Sequence, residues 1–219
     1  MEKKGIDVSK WQKEIDWKKV MESGVDFAMI RLGYGASDGK KCVIDPYFNT
    51  NIVGASESGM DVGVYFYSYA KSASAAGKEA AFVIDKIMPY QRKLTYPIAF
   101  DLEDQSQKDL GKITLTAMVT TFCDAIEKAG YFATLYCNLD WCKRLLEMED
   151  IKDYDLWLAQ WASKPTTDYP LGMWQYTNAG VVPGIRGQVD MNIAYKDYPT
   201  IIANLSTKRL MHYQYNQYK

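Results

Sequence analysis

At 219 residues with 47% hydrophobic side chains, the chain is long enough for one α/β barrel or two small domains and can bury a full core. Its 26 basic and 27 acidic residues nearly cancel, to a net charge of -1, which argues against a polybasic face for nucleic acid or anionic lipid. No apolar run approaches the roughly 20 residues that span a bilayer, so no membrane span is expected. Met1-Glu2-Lys3-Lys4 leads straight into Gly5-Ile6-Asp7 without the apolar stretch of a signal peptide.

In chain order, apolar strands alternate with amphipathic helices, the rhythm of parallel βαβ units. Strands are predicted at 5–8, 27–32, 62–69 and 97–101 in the first half, and at 131–137, 156–160, 173–176 and 189–192 in the second. Helices are predicted at 17–23, 46–58, 73–88, 116–129 and 139–148. Gly24, Gly59 and Gly130 follow three of them, where a left-handed cap residue is wanted, and Pro89 stops the third. After the fifth helix the spacings shorten and carry Pro165, Pro170, Gly180, Pro183, Gly184 and Gly187, which reads as loops or hairpins. The expected fold is α/β, a single modified TIM-like barrel of five βα units followed by three strands with few or no helices. Residues 1–4 form a leader, 5–198 the barrel, and 199–219 a tail or closing helix.

The strand 97–101 contains Ile98-Ala99-Phe100 and then runs into Asp101-Leu102-Glu103-Asp104, setting acids where apolar side chains belong. Residues two apart on a strand share a face, so Asp101 and Glu103 point the same way. Adjacent carboxyls raise the pKa of one member, and a neutral acid beside an ionised one is what glycosidic bond cleavage requires. Acidic strand ends also serve as solvated loop starts or metal ligands, so context must decide. In such barrels the C-terminal rim carries the chemistry, and Asp7 and Asp190 are expected at the same rim.

His212 is the only histidine and lies in a Tyr-rich tail, which disfavours Ser-His-Asp and Cys-His hydrolases and zinc-dependent amidases. Carboxylates remain as the chemical workers, with no metal or cofactor expected. Cys42, Cys123, Cys137 and Cys142 show no C-x-x-C pair, and Cys123 falls on the apolar face of a predicted helix. Aromatic and amide side chains near the rim suit a saccharide, whose C–H faces stack on rings and whose hydroxyls meet polar tips. Tyr34, Tyr69, Tyr136, Trp161 and Gln175 are the candidates for substrate contact.

Gly5-Ile6-Asp7-Val8-Ser9-Lys10-Trp11-Gln12, Ile98-Ala99-Phe100-Asp101-Leu102-Glu103, Leu156-Trp157-Leu158-Ala159-Gln160-Trp161, Trp174-Gln175-Tyr176-Thr177 and Val189-Asp190-Met191-Asn192 occur in the order of their predicted strands. Together they resemble the glycoside hydrolase family 25 muramidases, from Gly5 to about Tyr198. The resemblance implies the barrel and hydrolysis of the β-1,4 bond between N-acetylmuramic acid and N-acetylglucosamine in peptidoglycan. It implies Glu103 as general acid/base, Asp101 as its partner, and Asp7 and Asp190 as the acids that complete the site. It departs from a Lys-x-Ser/Thr-Glu-Gly stretch that some members carry after strand two, because Ile30-Arg31-Leu32-Gly33-Tyr34-Gly35 offers no acid there. Two roles stay open for Asp101: nucleophile, or stabiliser of an oxazolinium ion formed by the substrate's own acetamido group, as in D-x-E glycosidases acting on N-acetyl sugars. Retention follows from both. A chitinase-like hydrolase and a non-catalytic saccharide-binding barrel are the competing classes. The partner implied is a peptidoglycan glycan strand met by a monomer at the bacterial cell wall or outside the cell.

Overall fold

The strands close on themselves. The computed structural model describes residues 2–35 and 41–205, and its single sheet runs β1-β9-β8-β7-β6-β5-β4-β2-β3 with a further β1–β2 pairing that shuts the barrel. The strands are β1 Lys3–Val8, β2 Phe27–Tyr34, β3 Val43–Ile44, β4 Asp61–Tyr67, β5 Leu94–Asp101, β6 Ala133–Asn138, β7 Asp155–Ala159, β8 Met173–Gly180 and β9 Val189–Ala194. β3 is a two-residue addition on the edge of β2, so eight strands form the barrel proper. The expected modified TIM-like barrel is what forms. The first strand starts at Lys3 rather than Gly5, which draws part of the expected leader into the sheet.

The outside of the barrel is covered by α1 Trp17–Glu22, α2 Phe48–Glu57, α3 Ala73–Ile87 and α4 Lys112–Ala129. α4 ends where predicted, because Gly130 adopts φ 94° and its N–H returns to the carbonyls of Ile126 and Glu127. The fifth predicted helix, 139–148, is shorter in the structure: the chain is helical over 139–145, widening to π geometry at Trp141–Leu145, and a separate 3-10 turn follows at Met148–Ile151. Asn138 Oδ1 accepts from the backbone N–H groups of Asp140 and Trp141, and this binds the start of the short helix tightly to the end of β6.

Strand parity separates two apolar layers. Outward side chains such as Ile30, Val64, Ile98, Phe100 and Leu135 meet the helices, with Phe100 stacked on Phe122 of α4 at 4.4 Å between ring centres. Inward side chains, among them Phe27, Met29, Tyr96, Ala99, Trp157 and Met173, fill the barrel. With both faces buried, the strands read as unbroken apolar runs rather than as alternating ones.

The lower end is plugged by aromatic rings. Phe27 stacks on Tyr96 at 4.3 Å, and Tyr198 sits against Tyr96 at 5.0 Å and Phe132 at 5.7 Å. Tyr198 opens a helical segment, 198–205, that brings Ile202 against the inner cluster. The rest of the tail, His212 included, lies outside the described residues. Tyr198 donates its hydroxyl to Asp155 Oδ2 at 2.6 Å, and Lys196 Nζ reaches Asp155 Oδ1 at 2.5 Å. Among the described residues no helix is long and apolar enough to cross a membrane.

Tyr198→Phe removes one of two partners from a buried carboxylate while keeping the ring in place. The expected cost is about 1–3 kcal/mol of unfolding free energy, read by urea denaturation, and a value indistinguishable from zero would show that the plug does not depend on this hydrogen bond.

Candidate active site

With its lower end filled, the barrel opens at the rim where β1, β2 and β4–β8 finish. β9 runs antiparallel to both its neighbours, and so it is the start of this strand, not its end, that reaches the rim. Asp190 arrives there directly opposite Asp7 in the β1–β9 ladder.

Asp7 is 6% exposed and fixed by amides. Its Oδ2 accepts from Gln175 Nε2 at 3.0 Å and Asn192 Nδ2 at 2.8 Å. Each amide is oriented in turn: Trp157 Nε1 donates to Asn192 Oδ1 at 2.8 Å, while Trp161 Nε1 and the Tyr136 hydroxyl donate to Gln175 Oε1 at 3.1 and 3.3 Å. Three sequence candidates, Tyr136, Trp161 and Gln175, thus meet in one network around Asp7.

Asp101 lies on β5 between Tyr67 of β4 and Tyr136 of β6, 3% exposed, with Oδ1 buried and without a hydrogen-bond partner. Glu103 is two residues past the strand end. Extended pairing nevertheless continues, because Leu102 N donates to Tyr136 O at 3.0 Å. That bond keeps Leu102 buried on the outer side and returns Glu103 to the face of Asp101.

Asp7, Asp101, Glu103 and Asp190 all line one cavity of about 380 Å³. Four carboxyls so placed cannot all ionise at neutral pH. Burial, then the charge of Asp190, pushes Asp7 up to about 8. Burial, then the charges of Asp190 and Asp104, pushes Glu103 up to about 7. Asp101 is held well above the usual carboxylate range by burial and by the charges of Glu103 and Asp7. Asp190 is raised by burial, with a hydrogen bond from Asp7 acting against the rise.

A second cavity of about 340 Å³ adjoins the first, and Trp11, Arg31 and Tyr67 line both. It contains the other two candidates, Tyr34 and Tyr69. Tyr34 stands three residues after inward-facing Arg31, which by strict alternation would turn it outward. A bulge between Arg31 and Gly33 resets the register, so Tyr34 pairs with Tyr67 and faces the groove.

Several groove residues were not singled out by the sequence. Trp11 projects from a 3-10 turn, Lys10–Gln12, capped by Ser9, and is 72% exposed at the cavity mouth. Arg31 and Tyr65 share the inward register of Asp7 and Asp101, a parity signal available from the strand assignments. Asp45 gave no signal: it lies just after the appended strand and accepts from Arg31 Nε at 2.8 Å and Lys10 N at 3.0 Å, fixing both.

A closed barrel with clustered carboxyls in an aromatic groove at one rim defines a carbohydrate-hydrolase type of protein. Residues 6–185 match the family Glycosyl hydrolases family 25, and the chain belongs to that family of glycoside hydrolases. It is 30% identical over 200 residues to the protein YegX of Escherichia coli K12, covering 86% of this chain and 68% of YegX. It is 27% identical to the autolytic lysozyme of Clostridium acetobutylicum, covering 86% of this chain and 55% of that enzyme. Among solved structures, the modular autolysin LytC of Streptococcus pneumoniae, in complex with a synthetic peptidoglycan ligand, is 29% identical with a TM-score of 0.79. That match covers 89% of this chain and 47% of LytC, so the chain spans about half the length of this neighbour.

The raised carboxyls have a measurable consequence for stability. Unfolded, Asp7 loses its proton near 3.8; folded, it holds the proton up to about 8. Between those values the folded state binds more protons, so unfolding free energy falls as pH rises from about 4 to 8. Asp7→Asn, whose amide can donate to Asp190 as the protonated acid does, is expected to raise the melting temperature at pH 8 and leave it little changed at pH 4. A variant melting lower than the parent at pH 8 would contradict this assignment.

Proposed function

We propose that the chain hydrolyses the β-1,4 bond between N-acetylmuramic acid and N-acetylglucosamine in peptidoglycan, with retention, by substrate-assisted acid/base catalysis at the bacterial cell wall. The observation that carries this reading is the pair Asp101 and Glu103 on one face of the rim, each with a raised proton affinity, inside a groove walled by aromatic rings. The relative named as an autolytic lysozyme and the neighbour named with a peptidoglycan ligand support the choice of polymer.

In this mechanism Glu103 enters protonated and gives its proton to the leaving glycosidic oxygen. The acetamido oxygen of the muramic acid attacks the anomeric carbon from the opposite face as the bond breaks, forming an oxazolinium ion. Asp101 accepts a hydrogen bond from the acetamido N–H through its unpartnered Oδ1 and so holds the acetamido oxygen against the anomeric carbon. The leaving sugar departs, Glu103 as carboxylate takes a proton from water, and that water opens the ring at the anomeric carbon. Two inversions give net retention.

The burial of Asp101 favours this role over direct attack. A carboxyl 3% exposed, with one oxygen unpartnered, is placed to accept from an amide at the cavity floor rather than to swing onto a sugar carbon. Asp190 keeps negative charge close to Glu103, while the Gln175 and Asn192 amides fix Asp7 in place. Trp11 and Trp161, 72% and 61% exposed at the groove mouth, offer ring faces for sugars on either side of the cleaved bond.

Glu103→Gln is expected to lower kcat on purified peptidoglycan by about 10²–10⁴-fold, with new reducing ends on muramic acid in the parent and none on chitin. Cleavage of chitin alone would reassign the polymer, and full activity in the variant would remove Glu103 from its role. NMR of the first product should show the β anomer; an initial α anomer would exclude retention, and an isolated glycosyl ester on Asp101 would replace the acetamido route. Because Glu103 must be protonated and titrates at about 7, kcat/KM should fall as pH rises through that value.

Trp161→Ala removes a ring face and the donor to Gln175 Oε1 together, and is expected to raise KM more than it lowers kcat. Steady-state rates on soluble glycan oligomers check this, and an unchanged KM would place Trp161 outside the bound glycan.

A further inference from the structure

We propose that Glu79, which does not itself line the groove, is the positioning residue that fixes the groove wall carrying Tyr67 and Tyr69. It stands on α3 and is 5% exposed, a carboxyl buried among neutral partners at the junction of three rim loops. Its Oε2 accepts from Ser68 Oγ at 2.6 Å, and its Oε1 accepts from the Tyr69 backbone N–H at 3.1 Å.

Ser68 is thereby saturated. Its hydroxyl proton goes to Glu79, and its oxygen accepts from Ala70 N at 3.1 Å and from Gln107 Nε2 at 3.4 Å. Gln107, fully buried, also donates to Ala70 O at 2.8 Å. Three residues earlier on that same loop, Asp104 Oδ2 accepts from the Tyr67 hydroxyl at 3.1 Å. The segment leaving Glu103 is thus bound to the Tyr67–Ala70 loop at two points, and Glu79 holds that loop from behind.

The loop after β2 joins the same junction. Gly35 N donates to Tyr67 O at 2.9 Å, and a Cβ at Gly35 would lie 2.0 Å from Glu79 Oε1. Only a residue without a side chain lets the backbone come so close to the carboxyl. Tyr67 lines both chambers of the groove and Tyr69 the smaller one, so what Glu79 holds in place is contact surface.

An amide in place of the carboxyl offers one acceptor to two donors, so its NH2 would face either the Ser68 hydroxyl or the Tyr69 N–H. Glu79→Gln therefore breaks the junction at nearly constant volume, and Ser68→Ala breaks it from the other side. Val83→Ala is the control, since Val83 is a fully buried core residue of the same helix with no part in the network.

The inference rests on the groove being the glycan site proposed above, and two measurements keep the claims apart. In a Glu103→Gln background, the Kd for a soluble peptidoglycan tetrasaccharide is expected to rise about tenfold with Glu79→Gln and with Ser68→Ala, and to stay within about twofold with Val83→Ala. Backbone hydrogen exchange across 67–70 is expected to quicken in the first two variants and not in the third. Lowered melting temperatures with unchanged Kd in the Glu79 and Ser68 variants would reduce the junction to a structural role, as would an equal rise in Kd with Val83→Ala. If the background protein fails to bind the tetrasaccharide, the glycan reading falls and exchange at 67–70 alone decides the positioning claim, unchanged protection overturning it.

Discussion

β1 lies between β2, which runs parallel to it, and β9, which runs antiparallel, and the second pairing governs both the fold and the site. It completes the ring of strands, so no central edge is left open. It also sets Asp190 across from Asp7 at a spacing where directly opposed residues touch. Two carboxyls at that range repel when both are ionised, and the pair is tolerated because Asp7 keeps a proton and two amide donors hold its other oxygen. A helix-linked parallel strand in place of β9 would have delivered Asp190 to the plugged end of the barrel. The hairpin is therefore what assembles the fourth acid.

The two ends of the barrel show how the same interior serves opposite purposes. At the lower end both oxygens of Asp155 are partnered, by Tyr198 and Lys196, beside the packed aromatic plug. At the upper end the carboxyls crowd one another, and one oxygen of Asp101 has no partner at all. The first arrangement stabilises the fold. The second costs stability above the pH where the acids ionise, a cost of the kind that functional sites commonly carry.

Much of this was legible because strand parity is a strong signal. Alternation placed Asp101 and Glu103 together, and strand counting gave the barrel. The signal weakened where the backbone departs from regular pairing. Tyr34 lies on the groove face only because a bulge resets β2, and Tyr69 lies past the end of β4, in a loop whose course is set by Glu79. Asp45 and Glu79 were invisible for a related reason: each acts by accepting backbone N–H groups from distant loops, and nothing in their local sequence records that. The fifth helix ends sooner than its apolar spacing predicts, because the run from Leu139 to Met148 does not distinguish one continuous helix from a short one that widens and breaks before a 3-10 turn.

The four acids also differ in access to water, and this separates their proposed duties better than their charges do. Asp7 and Asp101 are 6% and 3% exposed and each is enclosed by neighbouring strands, whereas Glu103 and Asp190 are partly open to the cavity. A group that must deliver a proton to substrate and then recover one from water needs that opening, and it needs a proton affinity close to the working pH. Glu103 satisfies both conditions, being free of the strand yet still on its inner face. One more residue of regular β5 pairing would draw it towards the wall, and one fewer backbone bond at Leu102 would let it turn away. The short extension from Asp101 to Glu103 is thus the span over which a barrel wall turns into the floor of the carboxyl-lined cavity.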